Sequence, residues 1–398
     1  MMLQDDDKVL LLSGSDNEFD SLVDYVRYLN TQNITGRENR KLVKEFLERR
    51  ARRQGIPLHG TFELTPFCNL DCKMCYVHLE KEAFHNNQLL PIDQWKLIME
   101  HAFKAGMRQA TLTGGECLTY PGFDELFLFL CRLGVRVSVL SNGTLIGPKL
   151  VEFFKKNPPD HIQISLYGSS DDAYEKVTRH RVFTDVYRNI QLLKKAGIKT
   201  QLSITPNRFM IEDMRQLVEL THSISLPYNI NCRLIQPRIN TGRVIEDLSI
   251  DQYIDIYRIR AELANTKLYS NDPCELPEKN SNAHIQKGLL CGAGRSGFAI
   301  SYDGYMMPCV SLEEISAPVL DLGFEKAWEI IHREASTCLI PGECNSCAYF
   351  PVCISCQAQH KSAPAGHCNP QICERTRKLV EAGFYHYRGK SALVKPDT

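Results

Sequence analysis

The stretch around which this chain is organised reads Cys68-Asn69-Leu70-Asp71-Cys72-Lys73-Met74-Cys75-Tyr76, and we call it the first cysteine loop. Its cysteines follow a Cys-x3-Cys-x2-Cys spacing directly after a run that predicts a strand. Such close spacing allows three thiolates to bind one iron–sulfur cluster from a single loop. Because a [4Fe–4S] cluster normally takes four cysteines, one iron would stay open to another ligand. Close cysteine spacings also make zinc sites, but structural zinc prefers four protein ligands.

Size and charge limit the class of protein. The 398 residues are long enough for one large domain and a smaller one. A formal net charge of zero argues against a nucleic-acid partner or an anionic membrane held by bulk electrostatics. No stretch approaches the roughly 20 apolar residues of a membrane span, and the acidic start does not resemble a secretory signal. We therefore expect a cytoplasmic protein.

From residue 59 onward, short apolar runs alternate with longer amphipathic segments. The predicted strands are Thr61–Thr65, Gln109–Thr113, Val135–Leu140, His161–Leu166, Thr200–Thr205 and Asn229–Ile235. The predicted helices between them are Pro91–Lys104, Phe123–Leu133, Pro148–Lys156, Asp185–Ala196 and Ile211–His222. This alternation predicts an α/β fold with a parallel sheet and right-handed crossovers. The first cysteine loop, Gly114-Gly115-Glu116 and Ser141-Asn142-Gly143 each follow a strand, so we expect them at one face, where barrels of this kind place their chemistry.

The chain is expected to have three parts. Residues 1–58 would form an N-terminal helical extension, residues 59–265 the alternating strands and helices, and residues 266–398 a cysteine-rich domain. The boundary falls in a polar stretch without clear periodicity that follows the last helix of the second part.

Three helices are predicted outside the alternation. Leu22–Leu29 and Arg40–Arg53 belong to the N-terminal extension, and the second is basic on one side. This basic side fits either a solvated face packed on the main domain or a docking site for an acidic peptide. Ile250–Ala264 is the third helix, with Ser249 and Gln252 spaced as a capping box at its start.

Nine cysteines lie after residue 290. A turn at Asp303-Gly304 predicts a β-hairpin that brings Cys291 and Cys309 towards each other. The remaining pattern is Cys344-x2-Cys347-x5-Cys353-x2-Cys356, followed by Cys368 and Cys373. Taken alone, the four cysteines from 344 to 356 would also suit a zinc ribbon.

The first cysteine loop and Thr113-Gly114-Gly115-Glu116 together resemble the radical S-adenosylmethionine (radical SAM) enzymes. The resemblance runs from about residue 60 to about residue 240 and implies a partial (β/α)6 TIM-like barrel. It implies a [4Fe–4S] cluster at Cys68, Cys72 and Cys75 that cleaves SAM. The SAM-binding residues that it implies are Gly114, Gly115, Glu116, Ser141, Asn142, Ser165 and Arg179. Glu116 would bind the ammonium group and Arg179 the carboxylate, with Arg181 near enough to compete, while a plain turn role for Ser141 and Asn142 stays open.

The C-terminal part is similar to the SPASM extension of the same family, which carries two auxiliary [4Fe–4S] clusters. Carried over by position, the ligands of the first auxiliary cluster would be Cys291, Cys309 and Cys356. Those of the second would be Cys344, Cys347, Cys353 and Cys373. The fourth ligand of the first cluster stays open, with Cys274 as a candidate. Cys368 could replace Cys373, and Cys338 is expected to be a bystander. The implied cofactors are thus three [4Fe–4S] clusters and SAM.

The resemblance implies a radical SAM oxidoreductase that acts on a ribosomally made precursor peptide and forms a thioether, carbon–carbon or carbon–oxygen crosslink. An electron donor such as flavodoxin or ferredoxin would serve it. An alternative is the anaerobic sulfatase-maturating (formylglycine-generating) type, which carries an aspartate where this chain has Val310. A non-catalytic electron-transfer scaffold would need no SAM site, so Glu116 argues against it. Finally, residues 298–307 offer a strand edge to which an extended peptide could add, or which ordinary pairing within the domain would use.

Overall fold

A computed structural model describes residues 22–32, 34, 36–77, 89–232, 247–263, 291–338, 341–353, 356, 358 and 367–384. Two helices come first, α1 (Leu22–Thr31) and α2 (Gly36–Gln54). They pack through Tyr25 and Phe46, whose rings stack with centroids 4.5 Å apart. Both helices were predicted, although α2 begins four residues earlier than expected.

Alternating strands and helices follow, as the hydrophobic periodicity predicts. The strands are β1 (His59–Glu63), β2 (Gln109–Thr113), β3 (Arg136–Ser141), β4 (His161–Leu166), β5 (Thr200–Ile204) and β6 (Tyr228–Ile230). The helices are α3 (Ile92–Lys104), α4 (Phe123–Arg132), α5 (Pro148–Lys156), α6 (Asp171–Thr178), α7 (Phe183–Lys195) and α8 (Met214–Ile224). Helix α6 was missed by the sequence analysis because it is short. Its start nevertheless carries a helix signal, since the Ser170 hydroxyl accepts a hydrogen bond from the Ala173 N–H at 3.2 Å.

The rest of the described chain adds four helices and three short strands. They are α9 (Ile250–Leu263), β7 (Gly297–Ile300), β8 (Tyr305–Met307), β9 (Ala317–Pro318), α10 (Val319–Leu322), α11 (Phe324–Thr337) and α12 (Pro370–Glu381). The predicted capping box of α9 is confirmed: the Gln252 N–H donates to Ser249 Oγ at 3.2 Å, and the Ser249 N–H donates to Gln252 Oε1 at 2.9 Å. Helices α11 and α12 were not predicted.

All nine strands form one sheet in the order β6-β5-β4-β3-β2-β1-β7-β8-β9. Strands β1 to β6 run parallel to their neighbours, which confirms the α/β partial barrel. Strand β7 also pairs parallel with β1, with His59 opposite Gly297. The predicted hairpin of β7 and β8 is confirmed as an antiparallel pair. The C-terminal hairpin therefore continues the barrel sheet past β1.

Aromatic side chains of the barrel and of the C-terminal part pack together in one core. Phe62 of β1 packs edge-on against Trp95 of α3 and against Phe298 of β7, with ring centroids 6.0 and 5.9 Å apart. Phe298 in turn contacts Phe324 and Trp328 of α11. The boundary at residues 265 and 266 remains a prediction, and both the sheet and the core extend across it.

The structure corrects two expectations. Of the two uses expected for the edge of the hairpin, the structure shows pairing within the sheet and not an edge open to a peptide, because β7 lies between β1 and β8, and β8 lies between β7 and β9. Strand β1 ends two residues before the predicted Thr65. Strand β6 ends at Ile230, inside the predicted run, whose last residues lie beyond residue 232, where the described segment stops.

No helix in the described ranges has the length and apolarity that crossing a membrane requires.

Candidate cofactor site

Loops after the first three strands meet at one end of the sheet, as predicted. The Gly115 N–H donates to the Thr65 carbonyl oxygen at 2.7 Å, and the Glu116 N–H donates to that of Phe67 at 2.8 Å. These hydrogen bonds join the residues after β2 to the start of the first cysteine loop, because β1 and β2 are neighbours in the sheet.

Glycine is required where these backbones touch. A Cβ on Gly115 would lie 2.2 Å from the carbonyl oxygen of Phe67. A Cβ on Gly114, whose φ is 138°, would lie 2.4 Å from that of Thr65. The glycine pair therefore allows β2 to end directly against the cysteine-bearing backbone.

Two of the three thiols of the first cysteine loop, those of Cys68 and Cys72, lie beside hydrogen-bond donors. Cys68 Sγ accepts from the Leu70 N–H at 3.4 Å and from the side-chain amide of Asn142 at 3.5 Å. Cys72 Sγ is hydrogen-bonded by Tyr167, and its carbonyl oxygen accepts from the Cys75 N–H at 3.0 Å. Burial raises the pKa of Cys68 to about 12 and that of Cys72 well above its usual range.

This donor set fits an iron–sulfur cluster. The thiols of this loop lie close enough together to raise one another's pKa. Binding to positively charged iron would favour the thiolate form, so that each thiol releases its proton when the metal binds. Hydrogen bonds to the sulfur atoms then stabilise the thiolates. Within the described parts of the chain, no three His, Cys, Asp or Glu side chains form a site for a single metal ion. An iron–sulfur cluster needs a different arrangement, because each of its thiolates binds a different iron and the thiolates are therefore further apart than the ligands of a single ion.

Glu116 is enclosed at this end of the sheet, with 1% of its surface exposed. Its carboxylate accepts hydrogen bonds from the Asn142 N–H at 2.7 Å, from Ser141 Oγ at 3.0 Å and from the Leu118 N–H at 3.2 Å. Burial raises its pKa, while these donors oppose that rise. Ser141 and Asn142 thus orient Glu116, which is a role that the sequence analysis did not foresee for them. A carboxylate in this setting can bind an ammonium group.

Helix α6 supports the first cysteine loop from the other side. The Asp71 N–H donates to the Thr178 carbonyl oxygen at 3.3 Å, and the Lys73 N–H donates to that of Val177 at 2.9 Å. Arg179 follows α6 with φ 62° and pairs with Asp71, its Nε lying 3.3 Å from Oδ2. Its side chain is 61% exposed, so it can reach a ligand above the loop.

Arg181, the competing arginine, pairs instead with Asp172 and Glu175 of α6. Only Arg179 is therefore joined to the first cysteine loop by a described ion pair. The structure places the predicted carboxylate-binding residue beside the predicted cluster, and its role there remains a prediction.

The inner face of the sheet is polar. On β4 and β5, the alternate residues Ile162, Ile164, Leu202 and Ile204 are fully buried in the apolar core. The residues between them are Gln163 opposite Gln201 and Ser165 opposite Ser203. The Tyr167 hydroxyl, beyond Ser165, hydrogen-bonds both Ser165 and Cys72. The predicted SAM-binding residue Ser165 thus lies on a polar surface that leads to the first cysteine loop.

Five tail thiols come together around α12. Cys344 Sγ lies 3.1 Å from Cys368 Sγ, and Cys368 hydrogen-bonds Cys373. Cys347 and Cys353 are near enough to raise the pKa of Cys373, which burial and these neighbours bring to about 12. The predicted second auxiliary group, Cys344, Cys347, Cys353 and Cys373, is thus brought together with the alternative Cys368. The choice between Cys368 and Cys373 stays open.

The predicted ligands of the first auxiliary cluster differ in their exposure. Cys291 is exposed, whereas Cys309 and Cys356 are half-buried. Cys309 packs against a small apolar cluster of Leu312 and Ala335. The candidate fourth ligand Cys274 lies outside the described residues.

Comparison with known proteins finds a family match over the part of the chain that contains the candidate site. A family model described as the radical SAM superfamily matches residues 62–221. The matched segment begins in β1, ends in α8 and contains the first cysteine loop, Glu116 and Arg179.

Two curated proteins of Bacillus subtilis are similar in sequence. The chain is 31% identical over 179 residues to the antilisterial bacteriocin subtilosin biosynthesis protein AlbA, which is 44% of this chain and 39% of that protein. It is 25% identical over 261 residues to the sporulation killing factor maturation protein SkfB, with coverage of 65% and 62%. The chain thus spans less than two thirds of the length of either relative.

Solved structures share the fold. Streptococcus suis SuiB bound to S-adenosylmethionine has a TM-score of 0.63 at 17% identity, covering 88% of this chain and 86% of that chain. A structure of anSMEcpe with bound AdoMet has a TM-score of 0.61 at 17% identity, covering 82% and 93%. SuiB has also been solved bound to the precursor peptide SuiA, with a TM-score of 0.56. These identities establish a common fold alone.

Proposed function

We propose, because residues 62–221 form a radical SAM domain, that this radical SAM enzyme matures a ribosomally made peptide by forming a crosslink in it. The crosslink would be a thioether, a carbon–carbon or a carbon–oxygen bond. Two relatives support a peptide substrate by their names, since one is a bacteriocin biosynthesis protein and the other a killing factor maturation protein.

The observation that carries the proposal is the pairing of β1 with β7. The first cysteine loop follows β1, and the hairpin that begins with β7 leads towards the tail cysteines. One continuous sheet would therefore join the proposed site of hydrogen abstraction to the proposed electron-accepting sites in the tail. An oxidative crosslink requires both functions.

When bound, a reduced [4Fe–4S] cluster and SAM supply the 5′-deoxyadenosyl radical. Transfer of one hydrogen atom from the peptide to this radical gives 5′-deoxyadenosine. Closure of the crosslink then releases a second hydrogen from the peptide as a proton and an electron. Cys344, Cys347, Cys353 and Cys373 would hold a [4Fe–4S] cluster that supplies the acceptor for that electron, so that the product would have two hydrogens fewer than the substrate.

The chain's own residues hold and orient the reactants. We assign Cys68, Cys72 and Cys75 as cluster ligands, and the donors at Cys68 and Cys72 would stabilise their thiolates. Glu116, oriented by three hydrogen bonds, would bind the SAM ammonium group. Arg179 would bind the SAM carboxylate. Its guanidinium would then either contact both carboxylates or break its ion pair with Asp71.

The polar inner face around Ser165 would bind ribose hydroxyls or main-chain groups of the peptide, because Ser and Gln offer both donors and acceptors. The three-cluster count and the assignment of every tail ligand are parts of this proposal. An electron donor such as flavodoxin or ferredoxin and a cytoplasmic location complete it, since a reducing compartment keeps these thiols free.

The sulfatase-maturating alternative shares the fold, as the likeness to anSMEcpe shows. The residue after Cys309 counts against it, because those enzymes carry an aspartate base there and this chain has Val310. A valine side chain cannot accept a proton.

The proposal is tested by anaerobic incubation of the reconstituted full chain with SAM, a reductant and the short peptide encoded beside its gene. We expect a product lighter by about two hydrogens and equimolar 5′-deoxyadenosine. A cysteine-containing sulfatase peptide serves as the comparison substrate. Formylglycine formation on that peptide, with no reaction on the first, would refute the proposal and favour the alternative.

A further inference from the structure

Cys338 was expected to be a bystander, but it lies where the tail segments of the first auxiliary site converge. It follows α11 directly, and its N–H donates to the Glu334 carbonyl oxygen at 3.1 Å. The helix end therefore holds its backbone in place. Its side chain is half-buried rather than pointing freely into solvent.

The convergence is clearest at Gly294, three residues after Cys291. A Cβ at Gly294 would lie 2.3 Å from Cβ of Ala335 and 3.3 Å from Cβ of Pro308. Ala335 is three residues before Cys338, and Pro308 directly precedes Cys309. The segments that carry Cys291, Cys309 and Cys338 thus meet around one glycine.

Further contacts hold these segments together and add a fourth. His332 Nδ1 hydrogen-bonds the Gly294 carbonyl oxygen at 3.0 Å, which fastens the turn after Cys291 to α11. Cys309 and Cys338 pack on the same apolar cluster of Leu312 and Ala335. Ala358, two residues after Cys356, packs on that cluster as well.

We propose that Cys338 is the fourth ligand of the first auxiliary cluster, beside Cys291, Cys309 and Cys356. A free cysteine packed among apolar residues is the ordinary alternative for one such residue taken alone. Here, however, all four cysteine-bearing segments reach the same small cluster. A [4Fe–4S] cluster requires four thiolates if none of its irons is to stay open.

The proposal deepens the proposed function and rests on it for its consequence. With four cysteine ligands, the first auxiliary cluster has no open iron for the peptide to bind. Its role is then to accept and pass on an electron, and the peptide must be held by the protein.

The test uses full-length chain in which the three cysteines of the first cysteine loop are replaced by alanine, so that only tail clusters remain. In this background we compare Cys338→Ala with Cys274→Ala, and with Cys131→Ala as the control. Cys131 lies on α4, away from the tail. After anaerobic reconstitution, each variant is oxidised mildly and its [3Fe–4S] signal is quantified by electron paramagnetic resonance.

We expect Cys338→Ala alone to yield about one [3Fe–4S] cluster per chain, because an iron without a thiolate is lost first, or to lose about four irons. A Cys338→Ala signal equal to that of Cys131→Ala would overturn the proposal. So would the effect appearing in Cys274→Ala instead.

A second variant covers the case in which Cys338→Ala does not fold. Cys338→Ser keeps the size of the side chain, and an oxygen ligand should shift the midpoint potential of one tail cluster. An unchanged potential would also overturn the proposal. None of these readouts requires SAM cleavage or peptide turnover, so failure of the proposed function would leave the result intact.

Discussion

Replacing Gly115 by alanine tests whether the end of β2 holds the first cysteine loop in its place. The new Cβ would lie 2.2 Å from the carbonyl oxygen of Phe67 and 2.7 Å from that of Pro66. Both atoms belong to the backbone, so no side-chain rotation relieves the overlap. The loop must move by about 0.8 Å to restore the 3.0 Å that real Cβ atoms keep from such neighbours.

The expected cost follows from what that movement disturbs. Overpacking of this kind costs about 1–3 kcal/mol. The hydrogen bonds from Gly115 to Thr65 and from Glu116 to Phe67 contribute about 0.5–1.5 kcal/mol each. We therefore expect Gly115→Ala to lower the free energy of unfolding by about 2–6 kcal/mol. The displaced cysteines should also hold iron poorly.

Urea unfolding and iron counts after anaerobic reconstitution measure both effects. The matched control is Gly147→Ala before α5, where φ is −115° and an added Cβ would meet no atom within 4 Å. Its unfolding free energy should change by less than about 0.5 kcal/mol. If Gly115→Ala matches this control in stability and iron content, the contact between β2 and the loop does not exist as described.

Three further predictions concern the cluster ligands, the SAM carboxylate and the cap of α9. Replacing all three cysteines of the first cysteine loop by alanine should remove about four irons per chain and abolish 5′-deoxyadenosine formation, and cleavage at the wild-type rate would disprove the cluster assignment. Arg179→Gln should weaken SAM binding by about 10- to 100-fold in equilibrium binding measurements, with a stability loss under about 1 kcal/mol because its ion pair is exposed. Arg181→Gln is the control, and equal SAM affinities in the two variants would rule out Arg179. Ser249→Ala removes the cap of α9 and should cost about 0.5–2 kcal/mol in urea unfolding with SAM cleavage retained, so unchanged stability would mean that the cap contributes nothing.

Much of the barrel could be predicted because its signals are local. Strands β2 and β4 have the predicted bounds, since their apolar runs are short and end at a clear change in composition. The site at the strand ends followed from topology, because parallel strands place the residues after them at one edge. The capping box at Ser249 was readable for the same reason, as its two hydrogen bonds span only three residues.

What could not be predicted depends on distant parts of the chain. Nothing in the sequence Gly297–Ile300 identifies β1 as its partner, because a strand's pairing depends on which edge the rest of the sheet leaves open. The same limit explains why Cys338 was expected to be a bystander, because Ala335, three residues before it, meets Gly294 from another segment. The shared core also changes how tail iron should be removed. Cysteine substitutions are preferable to truncation at residue 291, which would delete β7 and with it Phe298, whose ring packs on Phe62.

The pairing of β1 with β7 also orders events during synthesis of the chain. About 180 residues separate the end of β2 from β7, so a ribosome adding about 5–20 residues per second needs roughly 10–40 s to supply β7. Throughout that interval one edge of β1 has exposed backbone N–H and carbonyl groups, a template for unwanted strand pairing. The segment at risk is the one that leads into the first cysteine loop. Nascent chains arrested before β7 should therefore be more sensitive to protease at β1 than chains arrested after β9, and equal sensitivity would show that the edge is protected in another way.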